Sequence, residues 1–482
     1  MPLIRSVRHL VAMLVPWLLA GCVESSDLPV GAAPGEWTTA SPGDVGLDPE
    51  PLESMRISAH EGAFQNLHSV LVVRNGTLVF EEYFGEFGAE TLQYTASVSK
   101  SVGSILLGVA MDDGLMPGLD DGILESSLAD VLPEYAEALS DDPRKQIILL
   151  RHALSMSGGL EWDEQTYPYS DARNDWIRAS QSDDPVGFAL SRPVVAPPGS
   201  VFNYNGGYSI LVSYLVQRAA GMTAEGFAAD RLFGPLGIET WEWEALRSGL
   251  TDTDGGLHLR PRDMAKLGQL FLNGGTWNGE RVVSRGWVDA SARLHFDSDG
   301  MPDYGLQWWR GAHHYADRSA FTYFASGHGG QRIHVFPELD LVVVITQQVF
   351  DNPFADLNAL AILARHVLPA ADPAGRFPEP VAVSSEELGR YAGRYVDDGE
   401  EVRVWFENDL LLAEAEGAPT LELTAVGDTR FAATVAGLLD IFFEFRVDAA
   451  GAVEGLRTTF GFDESEFTRV GSDGSDGAEG SP

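Results

Sequence analysis

The chain holds a single cysteine, Cys22, in 482 residues, so no disulfide can close within it. Lysine is nearly as scarce: Lys100, Lys145 and Lys266 are the only three among 32 basic residues, and arginine supplies the rest. Positive charge as a whole is thin. Against 71 acidic residues it leaves a formal net charge of −39, which argues against nucleic acid as a partner and against an electrostatic hold on anionic lipid. Long apolar runs are also missing; the stretch from Leu10 to Ala20 has eleven residues, too few to span a bilayer. There is no H-E-x-x-H and no Cys/His cluster, so no metal and no cofactor are implied. No G-x-S-x-G elbow offers a serine on a strand-to-helix turn.

What is present starts with a leader. "MPLIRSVRHLVAMLVPWLLAGC" carries Arg5 and Arg8, then the short apolar run, then Gly21 and Cys22, as a secretory signal does. Its ending, "LAGC", resembles the bacterial lipobox, in which the cysteine is lipidated and begins the mature chain. The expectation is a signal peptide over 1–21, a lipidated Cys22 opening a tether over 22–39, and an exported body held to a bacterial cell-envelope membrane by its lipid alone.

Hydrophobic content of 44% is ample for a packed core. "HSVLVVRNGTLVFEEYFG" reads as a hairpin turning at Asn75-Gly76. A helix from about Ser97 to Gly114 follows, then helical patterns broken by Pro/Gly loops to about 250, an amphipathic helix in "RPRDMAKLGQLFLNGG", and a second hairpin, "GGQRIHVFPELDLVVVITQQ", turning at Pro337–Asp340. One more helix, "FADLNALAILARHVL", closes this body. Strands at both ends with helices between them predict an α/β (α+β) body over 40–368, in which one sheet is built from distant segments beside a helical lobe. After a linker at 369–386, short alternating runs over 387–470 predict a small antiparallel all-β domain, barrel or sandwich, and 471–482 is a disordered acidic tail.

Chemistry concentrates in "YTASVSKSVGSILLGVAMDDG". A lysine has escaped the bias toward arginine here, three residues after Ser97. An i, i+3 pair shares one helix face, where unpaired N–H groups favour a developing anion. Unlike arginine, a buried lysine can lose its proton, so serine and amine together form the parts of an activated nucleophile. A bland reading, a capping serine beside a solvated lysine, fits the same stretch.

Two other stretches can complete a site. In "PPGSVFNYNGGYSILVSYLVQ", Tyr204 precedes an apolar helix, and its phenol can shuttle a proton if a cation such as Lys100 lowers its pKa; a core or capping tyrosine is the alternative. In "ASGHGGQ", His328, Gly329, Gly330 and Gln331 open the second hairpin, where glycines admit a close backbone approach to a ligand; a turn with a surface histidine is the alternative.

In this order, Ser97-x-x-Lys100, then Tyr204, then His328-Gly329-Gly330, the set resembles the penicillin-recognising serine hydrolases, in the class C β-lactamase-like branch with its family VIII esterases and 6-aminohexanoate-dimer hydrolases. "LRHALSMSGGLEW", "LFGPLGI", "GGLHLRPRDMAKLGQLFLNGG" and "YGLQWW" strengthen the likeness. The resemblance implies a β-lactamase/transpeptidase-like antiparallel sheet flanked by helices. It implies an acyl-serine mechanism with Ser97 as nucleophile, and with Lys100 either as its base or as the cation that readies Tyr204. Tyr204 would protonate the leaving group, and the N–H groups of Ser97 and Gln331 would hold the oxyanion. Where the family usually has Tyr-x-Asn, this chain reads Tyr204-Asn205-Gly206, leaving Asn203 and Asn205 as substitutes for the displaced amide. Where β-lactamases have lysine in the third motif, this chain has His328, which counts against β-lactam turnover. The expected substrate is therefore a small ester, amide or peptide-like molecule. The alternatives are a β-lactamase or D-amino-acid peptidase on cell-wall material, and a sensor that is acylated without turning over; protein partners are unspecified.

Overall fold

A computed structural model describes residues 36–297, 302–350 and 355–470. The leader, Cys22, most of the tether and the tail fall outside these residues, so the expected lipid anchor is not seen. Among the described residues no helix is long and apolar enough to cross a membrane.

The first helix, α1 (Pro49–His60), starts at Asp48, whose carboxylate accepts from the Glu50 N–H, relieving one of the unpaired donors of the first turn. Strands β1 (Leu67–Arg74) and β2 (Thr77–Tyr83) then meet at Asn75 and Gly76. Both turn residues have positive φ, 51° and 70°, as a two-residue primed turn requires. The next helix, α2 (Val98–Asp112), carries Lys100 and is buried along nearly its whole length. The lobe beyond it contains short helices and the longer α3 (Gly206–Ala220); α4 (Pro261–Leu272) leads back to the sheet.

Five further strands complete that sheet: β3 (Asp303–Tyr304), β4 (Trp309–Tyr315), β5 (Arg318–Gly327), β6 (Gln331–Phe336) and β7 (Leu341–Gln347). Their order is β2-β1-β7-β6-β5-β4-β3, and every pairing is antiparallel. First and last hairpins therefore lie side by side toward one edge, Val72 opposite Val343. Sequence patterning assigns no strand to 309–327, yet β4 and β5 form there. Nearly every residue from Thr322 to Gly327 is buried, Ser326 and Gly327 among them, so the period-two signal of a half-solvated strand never appears.

Alternating residues point to two cores. Val70, Val72, Val343 and Ile345 face α1 and the closing helix α5 (Ala355–Ile362). Leu71, Val73, Val342 and Val344 face α2 and α4 on the other side. The sheet thus lies between helical layers, with the lobe against one side.

The C-terminal segment closes into an eight-stranded antiparallel barrel, β8 (Gly393–Asp397), β9 (Glu400–Glu407), β10 (Leu410–Ala415), β11 (Leu421–Ala425), β12 (Arg430–Val435), β13 (Leu439–Val447), β14 (Val453–Phe460) and β15 (Asp463–Val470). Tyr395, Phe431, Phe445, Leu456 and Phe467 fill it. Closure removes the barrel's own edges, and its β14–β15 tip covers an edge of the seven-stranded sheet. The His314 N–H of β4 donates to the Gly461 carbonyl at 2.5 Å, and the Phe462 ring sits edge-on to His313 at 4.7 Å. Arg365, just after α5, clasps Asp440 of β13, its Nε at 2.7 Å. Without the barrel, β4 would present unpaired backbone and an aromatic face to solvent, a template for self-pairing. A chain ending at Pro380 is therefore expected to melt at lower temperature than the full chain and to self-associate in light scattering; a monomeric product with an unchanged melting point would show that the barrel shields nothing.

Candidate active site

Ser97 stands at the N-cap of α2 but does not behave as a cap. Its backbone is helical rather than extended (φ −66°, ψ −3°) and its hydroxyl makes no capping bond, which leaves Oγ available to other partners. The chain reaches it through Ala96, whose φ of 47° lies in the left-handed region, a conformation costing a non-glycine residue about 1–2 kcal/mol. Neighbouring bonds hold the turn. The Thr95 N–H and hydroxyl both donate to the Leu257 carbonyl, and Ser99 Oγ donates to the Ala96 carbonyl while accepting from the Leu257 N–H. Backbone strain held this way beside a serine, here at Ala96, is of the kind that gathers at functional positions.

Lys100 is 2% exposed. Its ammonium donates to Ser97 Oγ at 3.0 Å and to the Asp254 carbonyl at 3.1 Å, and is ion-paired with Asp254 Oδ1 at 2.6 Å. Burial alone would lower its pKa, but Asp254, Tyr204 and Glu164 outweigh that and raise it well above the ordinary lysine range. The ammonium lies 4.7 Å from the centre of the Tyr204 ring. Tyr204, just before α3, is 8% exposed, hydrogen-bonded to Ser97, and stacked on Trp309 of β4 at 6.1 Å. Burial pushes its phenol up to about 12, with Lys100 pulling the other way. The fold thus brings Ser97, Lys100 and Tyr204 into one cluster, as the motif order predicts.

The third motif closes the cluster from the sheet. Gly329 and Gly330 have φ of 82° and 98° and form the turn between β5 and β6, pairing Gly327 with Gln331. A Cβ at Gly327 would stand 2.1 Å from the Thr95 carbonyl oxygen and 3.2 Å from Ala96 Cβ. Only glycine lets the β5–β6 turn lie against the backbone that leads to Ser97. The Gln331 side chain donates to the Gln347 carbonyl and is tied into the sheet. His328 lies between two aromatic rings at the rim, Tyr169 at 5.8 Å and Phe350 at 5.1 Å.

The two asparagines are held differently. Asn203 Nδ2 donates to the carbonyls of Leu160 and Trp162, so it braces a loop. Asn205 is buried; its N–H meets Met156 Sδ at 3.4 Å and its Oδ1 has no hydrogen-bond donor. The residues that do surround the ammonium went unnoticed in the sequence. Asp254 is one. Glu164 is another, accepting from the Gly206 N–H at 2.7 Å and from Trp162 Nε1. Asp252, accepting from the N–H groups of Asp254 and Gly255, is the third. Their only signal is a position beside motif phrases, "GGLEWDE" and "TDTDGG". Among the described residues no cluster suited to a metal ion occurs.

Comparison with known proteins identifies the family and the fold. Residues 62–366, more than half of the chain, match the family described as Beta-lactamase. The 6-aminohexanoate-dimer hydrolase of Paenarthrobacter ureafaciens is 23% identical over 292 residues, which cover 57% of this chain and 70% of that protein. An octameric penicillin-binding protein homologue from Pyrococcus abyssi has a TM-score of 0.53 at 17% identity, covering 88% of this chain and 100% of its own. A family VIII carboxylesterase has 0.50 at 16%, covering 66% and 94%. The two structural likenesses show the fold. With the family match running from the end of α1 to the turns after α5, this chain belongs to the beta-lactamase family, a serine hydrolase family whose members include esterases and amide hydrolases.

Proposed function

We propose that this protein hydrolyses ester or small amide bonds through an acyl-Ser97 intermediate, as an exported enzyme tethered through Cys22. The observation that carries the reading is the buried ion pair of Lys100 with Asp254 at 2.6 Å. It favours Lys100 as an ammonium, raised above the ordinary lysine range and donating to Ser97 Oγ, so Lys100 is not the group that receives the serine proton. Tyr204, bonded to the same hydroxyl, is.

In acylation, Ser97 Oγ attacks the carbonyl carbon while its proton passes to Tyr204 Oη and the phenol's own proton passes to the leaving oxygen or nitrogen. Lys100 stabilises the phenolate character that develops between the two transfers. The N–H groups of Ser97 and Gln331 hold the oxyanion. The bond to the leaving group breaks, and an ester links the acyl group to Ser97. Water then enters, gives a proton to Tyr204 and attacks the acyl carbon; Ser97 regains its hydrogen and the acid departs.

Charge favours neutral acyl groups. The one cation in the cluster is already committed, the rim offers His328 between two aromatic rings, and carboxyls stand behind it. A β-lactam carboxylate finds no fixed positive charge in such a site. A short-chain ester should therefore be turned over faster than a chromogenic cephalosporin or a D-alanyl amide, and the reverse order would favour the cell-wall reading.

Incubation with an ester panel should add one acyl mass to the intact protein and none to Ser97→Ala; an adduct that survives in that variant would overturn the assignment. Tyr204→Phe keeps the ring against Trp309 but removes the proton carrier, so kcat should fall about 10²–10⁴-fold. Lys100→Met leaves Asp254 buried without its cation, a loss of about 3–5 kcal/mol, which denaturant unfolding would read as a lower midpoint alongside the lost activity.

A further inference from the structure

The place left by the displaced asparagine is occupied. A Cβ at Gly206 would lie 2.7 Å from Asp254 Oδ1, 2.8 Å from Glu164 Oε2 and 2.7 Å from Trp176 Cδ1. No side chain fits there. Two carboxyl oxygens from two different loops approach the same point instead, and both acids are buried, Glu164 at 1% exposure and Asp254 at 3%. Asp254 Oδ1 is paired with Lys100 at 2.6 Å. Glu164 has hydrogen-bond donors, namely the Gly206 N–H, Trp162 Nε1 and the Tyr169 hydroxyl at 3.4 Å, but its oxygens have no ion-pair partner. Asp252 adds a third buried carboxyl two residues from Asp254. One ammonium cannot balance three buried carboxylates, so protons are retained within the group.

We infer that Glu164 and Asp254 together replace the missing asparagine as an acid–carboxylate pair, Asp254 fixing Lys100 as a cation and protonated Glu164 serving as a positioning residue that keeps the ground behind Tyr204 free of further negative charge. This rests on the Ser97–Tyr204 reading above and extends it to the pH range of the reaction. Burial first, and then the charge of Asp254, push Glu164 up to about 7, with Lys100 opposing. Asp252 is pushed up to about 7 by the same two causes. Lys100 is the one cation facing the group, and the phenols of Tyr94, Tyr169 and Tyr204 also feel it.

The sign follows. Below about pH 7 Glu164 is neutral, and the Lys100–Asp254 pair alone acts on Tyr204. Above it Glu164 gains a charge that disfavours the phenolate form of Tyr204, so proton transfer from Ser97 slows. A group whose folded pKa is raised also favours the folded state less as pH climbs from its unfolded value through 7. The same proton thus links rate and stability.

The test uses the full chain and hydrolysis of a short-chain phenyl ester, followed by pH-stat between pH 5 and 9. For the wild type, kcat/KM should fall on the alkaline side with an apparent pKa of about 7. In Glu164→Gln, which keeps the shape and an acceptor for Gly206, that limb should move up by a unit or more or vanish, while Asp252→Asn keeps it. An unchanged limb in Glu164→Gln, or a limb removed by Asp252→Asn alone, overturns the inference. Infrared difference spectra of the resting wild type between the same pH limits provide a readout that needs no turnover and no folded variant. A protonated-carboxyl band lost near pH 7 is expected, and no such band would also overturn it. Absence of an acyl-Ser97 adduct at every pH would instead sink the proposed function, even with the carboxyl band present.

Discussion

The site is organised around one ion pair taken out of water, Lys100 with Asp254. Burying two charges costs several kcal/mol per ion unless geometry and hydrogen bonding return it. Here one residue supplies most of that return: the Asp254 carbonyl accepts a hydrogen bond from the ammonium and its carboxylate is ion-paired with it. Held in this way, the ammonium also donates to Ser97 Oγ at 3.0 Å. Arginine, with five donors in a flat fork, could not divide its protons this way. That accounts for a lysine at this position in a chain otherwise served by arginine.

Space around the pair is set as much by what is missing as by what is present. Gly206 leaves a gap that two carboxyls enter, and Gly327 lets the third-motif turn touch the backbone next to Ser97. Aromatic packing fixes the remaining coordinate. Trp309 stacks on Tyr204 and is itself wedged against Phe202 and Tyr304, so the phenol has little freedom to swing away from Ser97. Trp309 begins β4, the strand whose far end is covered by the barrel tip. The all-β domain is therefore two residues along one strand from the aromatic support of the site, since Gly311 is where Phe462 rests.

What the sequence disclosed divides along the same line. Ser97, Lys100 and Tyr204 were legible because their residue types sit at fixed offsets from local features, a helix start and a glycine-flanked loop. The two hairpins were legible because Asn75-Gly76 and Pro337–Asp340 are turn chemistry written locally. Asp254 and Glu164 were not, since 71 acidic residues hide the few buried ones and only the fold says which lack water. The choice between base and cation for Lys100 was open for the same reason: it depends on Asp254, which lies 154 residues away.

The excess of acid in this chain thus has two physical meanings. On the surface it is solvation, and a change of one carboxylate alters little. Behind Lys100 it is a fixed field in a low-dielectric space, where each added charge acts directly on the serine, the phenol and whatever approaches them. Under the proposed function, a substrate carrying its own anion would meet that field with no free cation in the cluster to answer it, whereas a neutral ester or amide would not. Selectivity between them would then be set by the pairing of Lys100 with Asp254, before any contact with the acyl or leaving group is considered.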